Sequence, residues 1–363
     1  MKIIYDNIIF SLQKAGGISA YWSELLKRAD EKNSTFYGKN STNIFEDKTK
    51  ATKKESFLPT KILRYLSFQK KLPKNSIFHS SYYRISKQKD IVNITTVYDF
   101  TYEYYITGLA RLIHSWQKGN AIKKSDGIIC ISQNTKKDLQ KFYPKIEESK
   151  IEVIYLSASE DFKPLQNKEE LLQNDFKELR NKKYILYIGD KSSYKNFDMA
   201  LLIIQNLKNY YLVIVGKDDL TLTQKSILKY SYFHYQDLSQ TELNILYNNA
   251  FCLFYPSSYE GFGIPILEAM KSGCPVISTN LSSIPEISQN AAILVDEVKI
   301  QNFIKAVLSL ENDSFKEELV QKGFLQAKKF SWDKCHSETL EFYKKILEKK
   351  QNENLKRRKN TKK

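Results

Sequence analysis

Short apolar runs alternate with longer stretches of helical period along most of this 363-residue chain. The runs are rich in β-branched residues and are bounded by polar or turn residues, which is typical of strands buried on both faces. Alternating strands and helices predict parallel sheets with crossover helices, because a parallel pair needs a long connection between its strands. The predicted strands are residues 2–4, 77–79, 91–97, 127–132, 151–156, 184–188, 211–215, 251–255, 275–279 and 292–295.

Apolar residues recur at helical spacing between many of these strands. The predicted helices are residues 17–28, 135–142, 197–207, 241–249, 266–272 and 300–310. A chain of this length with 42% apolar residues can bury two separate cores. The pattern therefore predicts an α/β fold class with two Rossmann-like, doubly wound domains.

The boundaries of these domains follow from one polar segment and one late apolar stripe. Residues 161–182 are rich in Lys and Glu and carry no strand signal, so we place the linker there. The predicted domains are 1–165 and 178–330. An apolar stripe that starts at Trp332 predicts a helix over 331–350, and its burial partner need not be the second domain. Residues 351–363 are predicted to be a disordered basic tail.

The formal net charge is +16, and residues 344–363, with ten basic and two acidic side chains, supply half of it. Such a tail can bind an anionic membrane surface or nucleic acid, or it can be a solvated terminus. The remaining charge suits anionic substrates such as diphosphates. No nucleic-acid partner is predicted, because that needs a basic face with readable elements.

The four cysteines show neither metal-ligand nor redox spacing, which indicates a reducing compartment. The chain begins with a strand-like run, so no signal peptide is predicted. No apolar stretch approaches the roughly 20 residues of a spanning helix. We therefore expect a cytoplasmic protein whose membrane contact, if it has one, is peripheral.

The densest chemical signal lies in residues 251–287, which predict a strand, a loop, a helix and a second strand. Glu260, Gly261, Phe262 and Gly263 lie in the loop, and Glu268 follows in the first helical turns. Glycines let a ligand approach the backbone, and a helix start favours an anion. Two carboxylates can accept hydrogen bonds from sugar hydroxyls. Each glutamate alone could be an ordinary surface residue, but together these features favour a ligand site.

The segment EGFGIPILEAMKSGCPVIS, which begins at Glu260, resembles the signature of the retaining GT-B glycosyltransferases of family four, the glycosyl transferases group 1. Other resembling segments are GGISAYWSELLKR (16–28), TTVYDF (95–100), ICISQNTKKDL (129–139), YILYIGDKSSYKNFDMAL (184–201) and FSWDKCHSETLEFY (330–343). The resemblance implies GT-B architecture, with two Rossmann-like domains facing across a cleft. It also implies that a hexosyl unit passes from a UDP- or GDP-type sugar to a glycan or lipid-linked glycan, as in bacterial surface polysaccharide biosynthesis.

The resemblance also assigns roles on the donor side. Glu268 would bind the ribose hydroxyls, and Glu260 with the loop of Gly261, Phe262 and Gly263 would hold the transferred sugar. Lys195 would bind the donor phosphates, with Lys191 as the second candidate, at a position where many relatives have an arginine. Lysine keeps the charge but loses the bidentate fork. Both lysines could instead be ordinary surface residues.

Gly16 and Gly17 are further donor-site candidates, and the acceptor-side candidates are His79 and Asp99. Glu260, Lys195 and Asp99 are the candidate catalytic residues. The two glycines precede a predicted helix and could cover a ligand phosphate or simply form a turn. Asp99 follows a strand, in Tyr-Asp where relatives often have His-Asp. It could orient an acceptor hydroxyl or stabilise positive charge on the sugar, or it could make an Asx-turn. His79 also ends a strand, and it could lie near the cleft or be structural.

The sequence lacks Asp-x-Asp, a P-loop and G-x-G-x-x-G. We therefore expect a metal-independent enzyme without a cofactor. No nucleophile is evident, so front-side attack assisted by the departing phosphate is the favoured hypothesis. The alternatives are a sugar-nucleotide epimerase on the same fold and a non-catalytic sugar-nucleotide-binding protein.

Overall fold

The computed structural model of the chain describes residues 1–229 and 231–360. These residues form two compact units. Unit 1 consists of Met1–Leu156 together with the C-terminal helix from Trp332, and unit 2 is the continuous segment Ser157–Ser331. The first unit thus ends earlier than the predicted boundary at residue 165.

Each unit contains one sheet, and all neighbouring strands are parallel. The sheet of unit 1 contains β1 (Ile3–Asp6), β2 (Ser34–Tyr37), β3 (Thr52–Lys53), β4 (Ile77–Ser80), β5 (Val92–Val97), β6 (Gly127–Cys130) and β7 (Ile151–Val153). The sheet of unit 2 contains β8 (Tyr184–Ile188), β9 (Tyr211–Val215), β10 (Tyr232–Tyr235), β11 (Cys252–Tyr255), β12 (Val276–Thr279) and β13 (Ile293–Val295).

The strand orders are β3-β2-β1-β4-β5-β6-β7 and β10-β9-β8-β11-β12-β13. In both sheets the chain first winds outward in one direction and then returns to the other side of its first strand. The direction reverses between β1 and β4 in unit 1, and between β8 and β11 in unit 2. This is the doubly wound Rossmann-like order, in which ligands bind beyond the carboxyl ends of the strands at the reversal point.

The helices of the described residues are α1 (Gly17–Lys27), α2 (Thr60–Leu63), α3 (Thr101–Tyr105), α4 (Gly108–Lys124), α5 (Gln133–Phe142), α6 (Lys168–Asp175), α7 (Phe197–Asn206), α8 (Leu222–Leu228), α9 (Gln240–Asn249), α10 (Ile264–Lys271), α11 (Ile284–Ser288), α12 (Ile300–Ser309), α13 (Asp313–Ala327) and α14 (Trp332–Asn360). Local sequence starts several of them. Ser239 and Glu242 form a reciprocal capping box at α9, and Ser132 caps α5 by accepting from the N–H of Thr135.

Helix α14 packs against unit 1 through the predicted stripe. The buried members of the stripe are Trp332, Cys335, Thr339, Phe342, Tyr343 and Ile346. The helix lies directly on β6, where a Cβ at Gly127 would come within 3.0 Å of side-chain atoms of both Ile346 and Phe342. Burial of this stripe joins α14 to a sheet whose strands all lie within residues 3–153.

Residues 161–182 are not a linker, which corrects the sequence prediction. They contain α6 and belong to unit 2. Phe162, Leu172, Phe176 and Leu179 are buried, although the intervening Lys and Glu residues hide this pattern. The backbone N–H of Leu165 also donates to Asn248 Oδ1 at 2.8 Å.

Residues 351–360, which the sequence analysis placed in a disordered basic tail over 351–363, are helical in the structure. Helix α14 continues to Asn360, because Gln, Glu, Leu, Lys and Arg all favour helix. Residues 361–363 lie outside the described residues. Within residues 1–229 and 231–360, each helix is either too short or too polar to cross a bilayer.

Candidate active site

The candidate donor site of unit 2 is built where β8 and β11 end side by side. Lys195 lies in the loop after β8, and Glu260 lies in the loop after β11. Lys195 Nζ is 2.5 Å from Glu260 Oε1, and their side chains are only 13% and 12% exposed. Two residues 65 positions apart therefore form a largely buried ion pair, because their strands are neighbours at the reversal point.

Neighbouring side chains hold this ion pair in position through hydrogen bonds and ring contacts. Lys195 Nζ donates to the Tyr255 hydroxyl at 3.3 Å and lies 5.3 Å from the centre of that ring. Burial, followed by the negative charge of Glu260, raises the pKa of Tyr255 well above its ordinary value, so its hydroxyl stays protonated. Asn196, with a left-handed backbone (φ 51°), donates from Nδ2 to Pro256 O at 2.8 Å. The loops after β8 and β11 thus form one connected structure.

Two serines that follow β12 hold the loop of Glu260 from the other side. Ser282 Oγ accepts from the N–H of Glu260 at 3.1 Å and donates to its carbonyl oxygen at 2.7 Å. Ser283 Oγ lies 2.9 Å from the carbonyl oxygens of both Glu260 and Phe262. The Phe262 side chain is buried, with its ring 6.0 Å from that of Phe330. Any ligand contact of Phe262 would therefore involve its backbone.

Glu268 lies on α10, the helix that follows this loop. Gly263 precedes the helix with φ 102°, a left-handed conformation that glycine adopts without strain, and no side chain caps the helix start. Glu268 Oε2 accepts from the Tyr247 hydroxyl at 2.9 Å. Burial raises the pKa of Glu268 to about 7, and the hydrogen bond from Tyr247 opposes this shift. Glu268 therefore titrates near neutral pH, whereas Glu260 is paired with Lys195.

Lys191 has different contacts from Lys195. Its backbone N–H donates to Asp218 Oδ2 at 3.3 Å, and its ammonium group donates to the Asp218 carbonyl oxygen. Burial lowers the pKa of Lys191, and the charges of Asp218 and Asp219 counteract that effect. Lys191 thus bridges the loops after β8 and β9, while Lys195 bridges the loops after β8 and β11.

In unit 1, Asp99 forms the Asx-turn that was one of its alternatives. Its Oδ1 accepts from the N–H of Thr101 at 2.9 Å. Its carbonyl oxygen accepts from Lys118 Nζ at 2.8 Å, and that buried ammonium group also pairs with Glu103 at 2.6 Å. The turn holds the half-buried Asp99 carboxylate just beyond β5. A role toward the acceptor stays a prediction for this residue.

His79 is fully buried, which favours its structural alternative. Its Nδ1 lies 2.5 Å from the Tyr343 hydroxyl and its Nε2 lies 2.9 Å from Thr96 Oγ1. Burial lowers the pKa of His79 to about 3, so the ring is neutral. Because both ring nitrogens are occupied inside unit 1, His79 links β4 to α14. A role toward an acceptor stays a prediction for this residue.

Gly16 and Gly17 lie at the start of α1, as predicted. The Gly16 carbonyl oxygen accepts from Ser19 Oγ at 2.9 Å. A Cβ at Gly16 would come within 3.0 Å of Gln13 Nε2, so the turn leaves little room for a side chain. A role in covering a ligand stays a prediction for both glycines.

Three polar atoms on or beside α4 were missed by the sequence analysis. His114 Nδ1, Gln117 Oε1 and Arg64 Nε are buried and have no hydrogen-bond partner. The His114 ring stacks on Tyr102 with 3.8 Å between ring centres, and Gln117 Nε2 donates to the Arg64 carbonyl oxygen at 2.6 Å. A buried polar atom without a partner is costly unless water or a ligand satisfies it. No sequence motif marks this group, because its members are scattered.

The residues that the structure describes contain no cluster of three or more His, Cys, Asp or Glu that could hold a metal ion. The four cysteines are buried and unpaired.

Comparison with known proteins gives both sequence and structural relatives. The family model described as glycosyl transferases group 1 matches residues 168–330. O-antigen chain mannosyltransferase B of Escherichia coli is 32% identical over 205 residues, which cover 52% of this chain and 53% of that protein. O-antigen chain mannosyltransferase RfbU of Salmonella typhimurium is 31% identical over 232 residues, which cover 59% and 60%. The matched part thus spans little more than half the length of these relatives.

Solved structures with lower identity share the fold. HepE of Anabaena, crystallised with UDP and glucose, has a TM-score of 0.71 at 13% identity, with 94% of this chain and 98% of that chain covered. A glycosyltransferase of Rickettsia africae has a TM-score of 0.68 at 17% identity, with 95% and 98% covered. The predicted fold class, with two Rossmann-like domains of the GT-B type, is confirmed.

Proposed function

We propose that the whole chain is a glycosyltransferase that uses a nucleotide-diphosphate sugar, because the family model described as glycosyl transferases group 1 matches residues 168–330. The observation that carries the proposal is the Lys195–Glu260 ion pair, which lies at the reversal point of unit 2 between two loops that other side chains fix in place. A lysine at such a point suits a diphosphate, and a carboxylate beside it suits sugar hydroxyls.

In this proposal Lys195 offsets the negative charge that develops on the leaving diphosphate. An ammonium group has three donors, so Lys195 can bind phosphate oxygens while keeping a hydrogen bond to Glu260. Glu260 accepts from hydroxyls of the transferred sugar. Because Lys195 is held before the reaction begins, little reorganisation is needed when the charge appears. Lys191 acts as a second and more weakly engaged cation.

Glu268 binds the two ribose hydroxyls of a UDP- or GDP-type donor. Both hydroxyls donate to a carboxylate, so the charged form of Glu268 is the competent one. The start of α10, with Gly261, Phe262 and Gly263 before it, lies where a helix dipole favours an anion. This assignment requires neither a resident metal nor a cofactor, because Lys195 supplies the positive charge.

We propose that the reaction retains the configuration at the anomeric carbon. The bond from that carbon to the diphosphate oxygen breaks, and the acceptor oxygen bonds on the same face of the sugar. The acceptor proton passes to the departing phosphate oxygen. Asp99 and the neighbouring polar atoms of Arg64, His114 and Gln117 are the acceptor-side candidates, because hydroxyls of an acceptor could satisfy the unpartnered atoms.

The two curated relatives are O-antigen chain mannosyltransferases. By analogy, the proposed reaction adds a hexosyl unit, with mannosyl tested first, to a glycan or lipid-linked glycan of a surface polysaccharide. A cytoplasmic location forms part of the proposal, and the buried, unpaired thiols suit it.

The experiment is a turnover screen with UDP-, GDP- and dTDP-sugars in which released nucleoside diphosphate is measured. Wild type should turn over one donor, slowly with water alone and faster with a lipid-linked glycan. Glu268→Ala should lose donor binding, while Glu297→Ala, which removes a glutamate 64% exposed on the surface of the same unit, should match wild type.

Two outcomes would contradict the proposal. If no donor binds, or if folded Glu268→Ala behaves like Glu297→Ala, the donor site is wrongly assigned. If the sugar changes configuration without release of the diphosphate, the protein is an epimerase. Donor binding without any turnover across the acceptor panel would favour a non-catalytic sugar-nucleotide-binding protein.

A further inference from the structure

Unit 1 exposes an unusual number of large apolar side chains along α3 and α4. Leu109, Leu112 and Trp116 are 70%, 66% and 61% exposed. Tyr104, Tyr105 and Ile113 are exposed in the same segment. The face of α4 that packs into the unit carries His114, Gln117 and Lys118, so the usual distribution of apolar and polar residues on a surface helix is reversed.

A second exposed apolar segment lies beside the first. Phe57 is 98% exposed, and Leu58, Ile62, Tyr65 and Leu66 around α2 are also exposed. The two segments meet where Gln117 Nε2 donates to the Arg64 carbonyl oxygen at 2.6 Å, next to the exposed Trp116 and Tyr65. We call residues 57–66 and 104–116 the apolar-basic surface. Contiguous apolar patches beyond a few hundred Å² are uncommon on soluble monomers and mark interaction sites.

The charge within and beside these two segments is predominantly positive. Residues 48–74 contain nine Lys or Arg and one acidic residue, Glu55. Glu55 is buried and bound to Arg84 at 2.8 Å, so it does not offset the exposed lysines. Residues 104–124 contain Arg111, Lys123 and Lys124 on the surface and no acidic residue. A protein partner would need a matching acidic and apolar face, whereas an anionic bilayer supplies both properties at once.

We propose that the apolar-basic surface binds the chain peripherally to a bilayer that contains anionic lipid. Leu109, Leu112 and Phe57 insert at the level of the headgroups, Trp116 and the tyrosines sit at the interface, and the lysines contact lipid phosphates. The lysines of α14 over residues 345–350 are a weaker candidate, because their charge is offset within unit 1. Lys345, Lys349 and Lys350 pair with Glu152, Glu147 and Asp126 at 2.9, 3.6 and 2.7 Å.

Tryptophan fluorescence gives a selective test with the full chain. The chain has three tryptophans, and Trp22 and Trp332 are buried whereas Trp116 is exposed. Mixing with vesicles of phosphatidylcholine and phosphatidylglycerol (3:1) should shift the emission to shorter wavelength, and brominated lipid should quench it. Vesicles of phosphatidylcholine alone should bind at least about tenfold more weakly, and salt should weaken anionic binding.

Variants then locate the contact. Leu109→Ser/Leu112→Ser keeps Trp116 as the reporter and should lower vesicle affinity by about tenfold or more. The matched control, Leu222→Ser/Leu325→Ser, removes two leucines of unit 2 that are 86% and 64% exposed, and it should bind like wild type. Lys53→Gln/Lys54→Gln/Lys61→Gln should weaken binding by roughly fivefold per lysine. Removal of residues 351–363 should leave most of the binding.

The proposal is overturned if the leucine variant, with an unchanged melting temperature, binds vesicles as tightly as wild type. It is also overturned if removal of residues 351–363 abolishes binding, or if wild type does not bind anionic vesicles at all. Vesicle binding is measured without donor or acceptor, so its outcome is independent of the proposed glycosyltransferase activity.

Discussion

Lys195 and Lys191 are four residues apart, yet their contacts predict unequal contributions to catalysis. Lys195 is bound to Glu260 and Tyr255 at the end of the strand pair, whereas Lys191 is bound to the loop after β9. We expect Lys195→Ala to lower kcat by about 10²–10³-fold, in line with loss of one preorganised charge-stabilising group. Lys191→Ala should lower kcat less than about tenfold.

Single-turnover release of nucleoside diphosphate, with saturating donor, measures both variants. Lys299→Ala, which removes a lysine 66% exposed on the surface of unit 2, is the control for a general loss of positive charge. Equal effects of the Lys195 and Lys191 substitutions would show that the ion pair with Glu260 has no special role.

Glu268 makes donor affinity depend on pH. Its raised pKa of about 7 means that the neutral carboxyl predominates below that pH in the free protein. Because ribose hydroxyls donate to the charged form, affinity should rise as pH increases through 7 and then level off. Between pH 6 and 8 we expect about a tenfold gain, since each pH unit below the pKa removes about tenfold of the charged form.

Calorimetric titration with the intact nucleotide sugar measures this gain, because the diphosphate diester of the donor does not titrate in that range. In Glu268→Gln the affinity should be lower and flat with pH. A wild-type affinity that stays constant from pH 6 to 8 would show that Glu268 does not bind the donor in its charged form.

The residues that the sequence identified and those that it missed differ in where their contacts come from. Glu260, Gly263 and Glu268 lie in one continuous segment, so their spacing in the sequence identified them as candidates. Ser282 and Ser283 hold that segment only because β11 and β12 are neighbours, and Tyr255 contacts Lys195 only because β8 and β11 are neighbours. No local pattern shows either pairing. The sequence left the role of His79 open, because its partner Tyr343 on α14 comes 264 residues later.

At the scale of elements, the junction of β8 and β9 predicts a glycine that cannot be replaced. A Cβ at Gly216 would overlap the carbonyl oxygen of Gly189, and neither backbone can move freely because the N–H of Gly189 donates to Val215 O at 3.0 Å. Gly216→Ala should therefore lower the free energy of unfolding by about 2 kcal/mol or more.

Urea unfolding measures this change, with Gly108→Ala as the matched control. A Cβ at Gly108 would meet no atom within 4 Å, and the only obstacle to a side chain there is the left-handed φ of +74°. Gly108→Ala should therefore lower the free energy of unfolding by about 1 kcal/mol. If Gly216→Ala costs no more than Gly108→Ala, the close approach of the two loops is not a structural constraint.

The elements that the sequence did not predict have one property in common. Their buried and exposed faces do not carry the apolar and polar residues that a pattern search expects. Helix α4 buries His114, Gln117 and Lys118 and exposes leucines, so a search for a buried apolar stripe fails. Strand β2 is mostly half-buried, and polar residues surround the buried apolar residues that hold α6 in place. By contrast, β8 and β9 are apolar throughout and were predicted to the residue.

For the whole molecule, charge has a different distribution from the one that composition suggested. Residues 48–74 and 344–363 each carry a net +8, and together they account for the entire +16 of the chain. The sequence predicted that the charge outside the C-terminal segment suits anionic substrates. In the structure, Lys53, Lys54 and Lys61 are exposed in the same segment of unit 1 as Phe57 and Leu58, so the donor site depends on individual lysines rather than on an overall field.

The two units differ in whether a single continuous fragment of the chain contains the whole unit. Unit 2 is one continuous segment, Ser157–Ser331, whereas unit 1 needs both Met1–Leu156 and α14. A fragment of residues 157–331 should unfold cooperatively on heating and should bind the nucleotide part of the donor. A fragment of residues 1–156 should not fold by itself, because the apolar surface on which Phe342 and Ile346 pack would be exposed to water.

Circular dichroism during thermal unfolding, together with nucleotide titration, tests both fragments. Adding α14 to residues 1–156 through a flexible Gly/Ser linker should restore a cooperative transition. Cooperative unfolding of residues 1–156 alone would show that α14 is an accessory to unit 1 and not a part of its core.

The position of α14 at the end of the chain has a consequence for synthesis of the protein on the ribosome. Residues 1–156 emerge first, but 204 more residues must be made before α14 is complete at Asn360. At 5–20 residues per second that interval is about 10–40 s. The apolar face of β6 remains open to water throughout, so a nascent-chain chaperone has its longest opportunity to bind there, and unit 2 can finish folding before unit 1 does.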